Sequence, residues 1–310
     1  MDTLDHCILC GSQQFELEVE SEVQMAARSD KFRFMRCKEC ALVFLNPRVT
    51  TSELGKYYSA SYLPYRGAEA WGKYAARVSK DQQSLDERRM NHISRFQNLQ
   101  SESTLLDLGC GKPSFLQMAY ERYACHCTGV DFSDEGWKDH RERYQHLDLR
   151  IGEADSLSED LHPDLISMWH YLEHDYHPDR TLAHLRKIAG QSTKMVIEVP
   201  NHESDSRKRY KDQWAGYHTP RHTFLFSPET ITRLLEQQGW KVLDIDLKGT
   251  LDPYNLYWMS DAEQRNIDWS GSMEPEFWRY VRGMLAFRLK QWTSPKTTPW
   301  GIMTIMAEPA

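Results

Sequence analysis

Leu105-Leu106-Asp107-Leu108-Gly109-Cys110-Gly111-Lys112-Pro113-Ser114-Phe115 runs from an apolar strand into a glycine turn and on into a helix-compatible segment. Ligands of open α/β sheets bind beyond the carboxyl ends of the strands, and glycines there let a ligand lie against the backbone. Twenty-four residues after Asp107, Cys127-Thr128-Gly129-Val130-Asp131 repeats the pattern of a strand closed by an acid. A carboxylate at the end of a second strand is placed to take both hydroxyls of an adenosine ribose. What the turn lacks narrows the ligand. After Gly111 the chain has Lys112-Pro113-Ser114, so there is no third glycine for a pyrophosphate, and no GxxxxGK[ST] loop for a triphosphate occurs. An acid two residues before the first glycine suits a ligand carrying an ammonium group, which points to S-adenosylmethionine.

Around this turn, strand and helix patterns alternate. Strands are expected at 104–108, 126–130, 147–151, 164–169, 194–199 and 240–247, with helices near 114–124, 134–143, 178–189 and 228–239. Such alternation means an α/β fold with a doubly wound, mostly parallel sheet. Upstream, 81–99 (DQQSLDERRMNHISRFQNL) places Leu85, Met90, Ile93 and Phe96 near helical spacing, with charges on the other face, so it should pack on the sheet. Downstream, 275–292 (PEFWRYVRGMLAFRLKQW) reads as an amphipathic helix ahead of a last strand-like run, WGIMTIMAE. Its apolar face is expected to be buried on the domain or on a second subunit, so a homodimer is open, with shallow membrane contact as the alternative.

The first 48 residues carry two CxxC pairs, Cys7/Cys10 and Cys37/Cys40. Each CxxC turn can aim two thiolates at a point about 2.3 Å away, and two such turns make the tetrahedral S4 cage that zinc prefers. All four positions would then be filled by protein, so the zinc would be structural, and metal binding would also be what folds a segment too short to bury a core. A redox dithiol or unrelated buried cysteines are the other readings. The expected organisation is a zinc-binding knuckle over 1–48, an aromatic lid and helical segment over 49–100, and the α/β domain over 101–310 with an insertion at 248–299.

The chain has 310 residues, 38 Lys+Arg against 45 Asp+Glu, and a net charge of −7, which argues against nucleic acid or anionic lipid as the main partner. Hydrophobic residues at 40% and charged residues at 27% are ordinary for a globular protein and exclude disorder, collagen and coiled coil. No apolar run approaches the roughly 20 residues of a membrane span, and the N-terminus MDTLDHCILC lacks a basic region and apolar core, so a cytoplasmic protein without a transmembrane segment is expected. Seven cysteines, an odd number, argue against a disulfide framework.

LLDLGCG, then VDFS, then GEADSL, then DLISMWHYLEH resemble the ordered motifs of class I S-adenosylmethionine-dependent methyltransferases. The resemblance covers roughly 100–247 plus the last strand, and departs at Lys112-Pro113, where the family has a small residue and glycine. It implies a Rossmann-like sheet of seven strands, the last antiparallel. By the same resemblance, Asp107 holds the methionine end, Gly109, Cys110 and Gly111 line it, and Asp131 with Phe132 takes the ribose side. Glu153, Ala154 and Asp155 would follow the adenine, and Trp169 and His170 would sit by the transferable methyl, with core packing the other reading of Trp169.

A narrower resemblance joins CILCGS, FRFMRCKECALVFLNPR and ELGKYYSASY to a zinc-bearing methyltransferase subgroup that includes sugar C-methyltransferases. There the tyrosine tract lies over the cofactor, which makes Tyr57, Tyr58 and Tyr62 candidate lid contacts. The sugar enzymes carry Glu-His where this chain has Arg221-His222 within YHTPRHTFLFS, so a sugar is one option among anionic metabolites. On this reading Tyr217, His218 and Arg221 face a small-molecule substrate. An imidazole titrates near neutrality, so His222 and then His170 are the candidate general bases, against the alternative of hydrogen-bonded structural histidines. Arg207, Lys208, Arg209 and Lys211 form the densest positive run, readable as a steering patch or a solvated loop. The implied reaction is in-line methyl transfer to an oxygen or carbon of a small molecule. An RNA methyltransferase and a non-catalytic cofactor-binding partner are the alternatives.

Overall fold

The computed structural model describes residues 1–26, 30–58 and 62–310. The side chain of Tyr65, in the aromatic tract, lies outside the description. The chain forms β1 (Phe15–Glu22), β2 (Lys31–Cys37), β3 (Val43–Leu45), α1 (Thr51–Leu54), α2 (Leu63–Arg66), α3 (Ala75–Ile93), β4 (Thr104–Leu108), α4 (Ser114–Tyr123), β5 (His126–Asp131), β6 (Asp148–Ile151) and β7 (Leu165–Trp169). Then come α5 (Pro178–Ile188), β8 (Lys194–Pro200), α6 (Asp205–Tyr210), β9 (Phe224–Leu225), α7 (Pro228–Gln237), β10 (Trp240–Asp246), α8 (Tyr254–Gln264), α9 (Phe277–Thr293) and β11 (Ile302–Pro309). They divide into two compact units. One comprises Met1–Gln82, Pro200–Thr230 and Leu247–Ile302, and the other Gln83–Val199, Ile231–Asp246 and Met303–Ala310.

The second unit is built on a seven-stranded sheet in the order β10-β11-β8-β7-β4-β5-β6. The β4–β5, β4–β7, β5–β6 and β7–β8 pairs are parallel, and β11 runs antiparallel to β10. Central parallel strands are covered on both faces and therefore read as continuous apolar runs. Leu165–Trp169 is buried along its whole length, whereas the edge strand β6 is largely exposed and carries Asp148 and Arg150, charges that discourage further pairing. The core gathers Met90, Ile93, Leu105, Leu116, Ala119, Leu165 and Val196. This is the α/β, mostly parallel, Rossmann-like sheet that the alternation predicts.

Two local expectations need correction. The segment 134–143 is not an α-helix. It forms 3₁₀ turns over Lys138–Tyr144, broken at His140. Between Trp137 and Tyr144 every residue is polar, so there is no apolar stripe for a helix to bury. In α3 the charges do not all fill a solvent face, because Asp86, Arg89 and His92 are buried beside Leu85, Met90 and Ile93.

The first unit carries a four-stranded sheet in the order β1-β2-β3-β9, with every pair antiparallel. Its core is aromatic, with Phe34, Trp214, Tyr217, Trp258, Phe287 and Trp300. Within 248–299, α8 precedes α9 and is buried over most of its circumference, which erases the helical period from its sequence. The helices meet through Tyr257 and Phe287, with ring centroids 4.6 Å apart. On α9, Trp278, Leu285, Leu289 and Trp292 remain exposed. No helix among the described residues is long and apolar enough to cross a membrane.

Candidate active site

Parallel pairing brings one end of each strand in the second unit to the same edge. Register aligns Leu108 with Val130 and Met168, Asp131 with Ile151, and Trp169 with Glu198. The strand-end residues singled out in the sequence, Asp107, Gly109–Gly111, Asp131–Phe132, Glu153–Asp155 and Trp169–His170, therefore share this edge.

The turn after β4 is tied to β5. Gly109 and Cys110 donate their amides to the Val130 carbonyl (2.8 and 3.2 Å), and Gly111 donates to Asp131 Oδ2 at 2.9 Å. Asp131 Oδ1 accepts from Ser133 at 3.2 Å. Gly109 has φ +69, and a Cβ there would lie 2.6 Å from Tyr171 Cδ2, so both conformation and space demand glycine. At Gly111 a Cβ would meet nothing nearer than the Gly109 carbonyl at 4.0 Å, so that side of the turn is open. After the turn, Pro113 is buried and its carbonyl accepts from the Gln117 amide in the first turn of α4.

Asp107 is buried and accepts a 2.5 Å hydrogen bond from Ser167 Oγ. Burial pushes its carboxyl up to about 7, against the pull of Ser167 and the Arg89 cation. Burial also raises Asp131, opposed by the amides of Gly111, Ser133 and Phe132. Cys110 is buried, and its thiol is driven upward by that burial and by Asp107 and Asp131. Phe132 is 60% exposed, an apolar ring at a strand end. Gly152 donates to the Asp131 carbonyl at 2.9 Å, fixing the next turn, in which Ala154 is buried and Glu153 and Asp155 are exposed. Trp169 packs in the core, edge-on to Phe115 at 5.3 Å and beneath the Arg89 guanidinium at 4.5 Å.

His170 has φ +57. Its Nδ1 lies 3.2 Å from Glu173 Oε1, and its Nε2 lies 3.4 Å from Glu198 Oε1, an ion-pair distance without hydrogen-bond alignment. Burial opposes charge on the ring, but the two carboxylates outweigh it and push His170 up to about 9.

The remaining candidates lie in the first unit. His222 Nδ1 lies 2.8 Å from the Gly216 carbonyl; a carbonyl only accepts, so Nδ1 bears the hydrogen and Nε2 is the basic nitrogen. His222 stacks on His218 with centroids 4.9 Å apart, and His218 Nε2 hydrogen-bonds the Tyr62 hydroxyl at 2.7 Å. Arg221 is fully buried and donates to the Tyr57 and Gln24 carbonyls at 2.8 and 3.0 Å. Its guanidinium lies over Tyr62 at 4.5 Å and Tyr58 at 5.6 Å, so its donors serve the tyrosine tract. Tyr217 packs between Phe34 and Trp214 in the aromatic core. A cavity of about 410 Å³ in this unit, lined by Arg36, His202, Arg207 and Lys208 among others, contains none of the predicted site residues. Of the basic run, Arg207 lies in α6 and pairs with Glu18.

The four N-terminal cysteines converge, with all four Sγ atoms within 4.8 Å of one another and closest approaches of 3.5 Å for Cys7–Cys40 and Cys10–Cys37. The two turns are built alike. Gly11 donates to the Cys7 carbonyl and Ala41 to that of Cys37, while the Cys7 and Cys37 amides donate to the Ser12 and Leu42 carbonyls. Gly11 and Ala41 both take positive φ, +73 and +62.

The model of a family described as "Methyltransferase domain" matches residues 82–245, more than half of the chain. The chain belongs to this methyltransferase family. No curated protein matches this methyltransferase. Among solved structures it is similar to magnesium protoporphyrin IX methyltransferase from Synechocystis PCC 6803, at 10% identity and a TM-score of 0.52, covering 84% of this chain and 100% of that one. It is also similar to geranyl diphosphate C-methyltransferase from Streptomyces coelicolor A3(2), at 16% identity and a TM-score of 0.51, covering 85% and 90%. These likenesses are likenesses of fold. The first was solved with S-adenosylhomocysteine, the second with that molecule, magnesium and geranyl diphosphate.

Several residues packed beneath this strand-end edge carry no motif in the sequence. Ser167 and Glu198 are polar residues inside apolar strands, a pattern that does signal a buried partner. Arg89 and Asp86, joined to each other and to Ser114, sat unnoticed in a charged helix. Gly136 had no sequence signal: a Cβ there would come 2.1 Å from the Gly111 carbonyl.

Proposed function

We propose that this S-adenosylmethionine-dependent methyltransferase transfers methyl in line to an oxygen or carbon nucleophile of a small molecule, with a sugar or other anionic metabolite as the substrate class. The observation that carries the cofactor reading is the glycine turn held to Asp131, with a buried acid before it and open space at Gly111. Asp107 would take the ammonium end, Asp131 with Phe132 the ribose side, and Glu153–Asp155 would follow the adenine. Bound there, the cofactor supplies a methyl already activated by a sulfonium.

What remains for the protein is to orient the acceptor and to remove its proton. His222 is the residue proposed for that proton, with its ring orientation fixed at Nδ1 by the Gly216 carbonyl. His170, held protonated between two acids, is unsuited to accept one. Tyr58 is proposed as a cofactor contact, and Tyr217, His218 and Arg221 as substrate contacts.

The four cysteines fit a structural zinc ion: sulfur-only donors, two matching turns and mutual approach within one cage. In this reading the ion would tie β1–β3 together and leave no open coordination position for chemistry.

The test is titration of the purified protein with S-adenosylhomocysteine, followed by turnover on a panel of small-molecule acceptors. Saturable 1:1 binding is expected, and its absence in metal-replete protein sinks the reading. His222→Ala should lose turnover while keeping cofactor affinity; if both survive, His222 is not the base.

A further inference from the structure

His170 joins two neighbouring elements of the second unit, and each contact is a carboxylate. Glu173 reaches Nδ1 from the turn that follows β7, and Glu198 reaches Nε2 from β8. An imidazole with a carboxylate facing each nitrogen has two sites for N–H, which is the imidazolium. The backbone reinforces the joint, since the His170 amide donates to the Glu198 carbonyl at 2.9 Å. Glu198 is itself fully buried and fixed by Thr304, whose hydroxyl donates to Oε2 at 2.6 Å. The left-handed backbone at His170 is costly for a residue with a side chain, and such conformations persist where the surroundings over-determine them.

Tyr171 follows His170 directly in the chain and precedes Glu173 by two residues. Its ring is the group that a Cβ at Gly109 would strike, so the tyrosine forms one wall of the glycine turn. We propose that Glu173 and Glu198 are positioning residues that keep His170 doubly protonated, and that this clamp seats Tyr171 against Gly109 and so shapes the cofactor turn. The inference about affinity rests on the cofactor reading above; the inference about the proton does not.

Among the described residues, Glu173 and Glu198 face His170, the Arg89 cation acts on Glu198, and His174 has a ring nitrogen within 4.8 Å of the Glu173 carboxylate. The ring holds Glu198 far below the usual carboxylate range, at about 2, against the opposing effect of burial, so the pair stays ionised across the neutral range. Deprotonation of His170 would leave the two buried carboxylates without the cation they share, which is the unfavourable state that opens the clamp.

The experiment is ¹⁵N-histidine NMR of the intact protein from pH 6 to pH 10, with S-adenosylhomocysteine affinity measured alongside. Wild-type His170, assigned by loss of its signal in His170→Gln, should show both nitrogens protonated at pH 8. Glu198→Gln should move the transition down into the range of ordinary histidines and weaken S-adenosylhomocysteine binding about tenfold at pH 8, the size common for coupling between linked sites. A neutral His170 at pH 8 in wild type overturns the proposal without any variant being needed. A protonated His170 in Glu198→Gln with unchanged affinity overturns it as well. If wild type fails to bind S-adenosylhomocysteine while His170 is protonated, the cofactor reading has failed and the clamp stands. Should Glu198→Gln not fold, Thr304→Val removes only the anchor of Glu198 and is expected to lower the His170 transition in the same direction.

Discussion

At the scale of single residues, two side groups decide how the turn after β4 behaves. Asp107 sits in apolar surroundings that lift its carboxyl to about 7, so near neutrality it is divided between acid and carboxylate. A cationic ligand end favours the carboxylate, and binding must then release a proton below that range. Affinity for S-adenosylmethionine is therefore expected to rise as pH rises from 5 toward about 7 and then level off. Calorimetry in buffers of different ionisation enthalpy checks it, and an affinity that falls with rising pH refutes it. Asp107→Asn should remove the slope and cost roughly 10- to 100-fold in affinity, the range for a hydrogen bond to a charged group. Gly136 acts by what it lacks. A methyl group there would overlap the Gly111 carbonyl at 2.1 Å, and Gly136→Ala should destabilise the fold by about 1–3 kcal/mol, read from denaturant midpoints.

At the scale of elements, the cysteine turns and the paired helices of the first unit give separate expectations. On the proposed reading a zinc ion in the four-cysteine cluster staples β1–β3, so chelation should melt their amide signals in NMR. One zinc per chain by elemental analysis, lost in Cys37→Ser, is the expected stoichiometry; a chain that folds without metal counts against the staple. In α9, Gly283 lies where a Cβ would come 1.7 Å from Tyr254 Oη, so Gly283→Ala should force Tyr254 aside and cost about 1–3 kcal/mol. Elements with an apolar period or a continuous apolar run, such as β4, β7 and α5, were legible in the sequence to within a residue or two. α8 was not, since burial on most sides leaves no period to see, and the helix expected at 134–143 gives way to 3₁₀ turns over Lys138–Tyr144 because charge without a stripe fills such a turn as readily as a helix.

At the scale of the whole molecule, the net charge of −7 bears on partners more than on fold. Nucleic acid should bind no better than nonspecifically at physiological salt, and tight RNA binding with a steep salt slope would instead promote RNA as the substrate. The division into two units draws each from three separate stretches of chain, which no local pattern announces. Sequence alone determined the strand–helix alternation, the acid–glycine turns and the cysteine spacing, because each depends on residues a few positions apart whose geometry is set by backbone periodicity. Only the tertiary structure decided that Glu198 and Glu173 grip His170, that Tyr171 walls the Gly109 turn, and that Arg89 and Asp86 are buried. Those facts arise between distant segments, where protonation, burial and the room left for a side chain are fixed by what the fold places alongside.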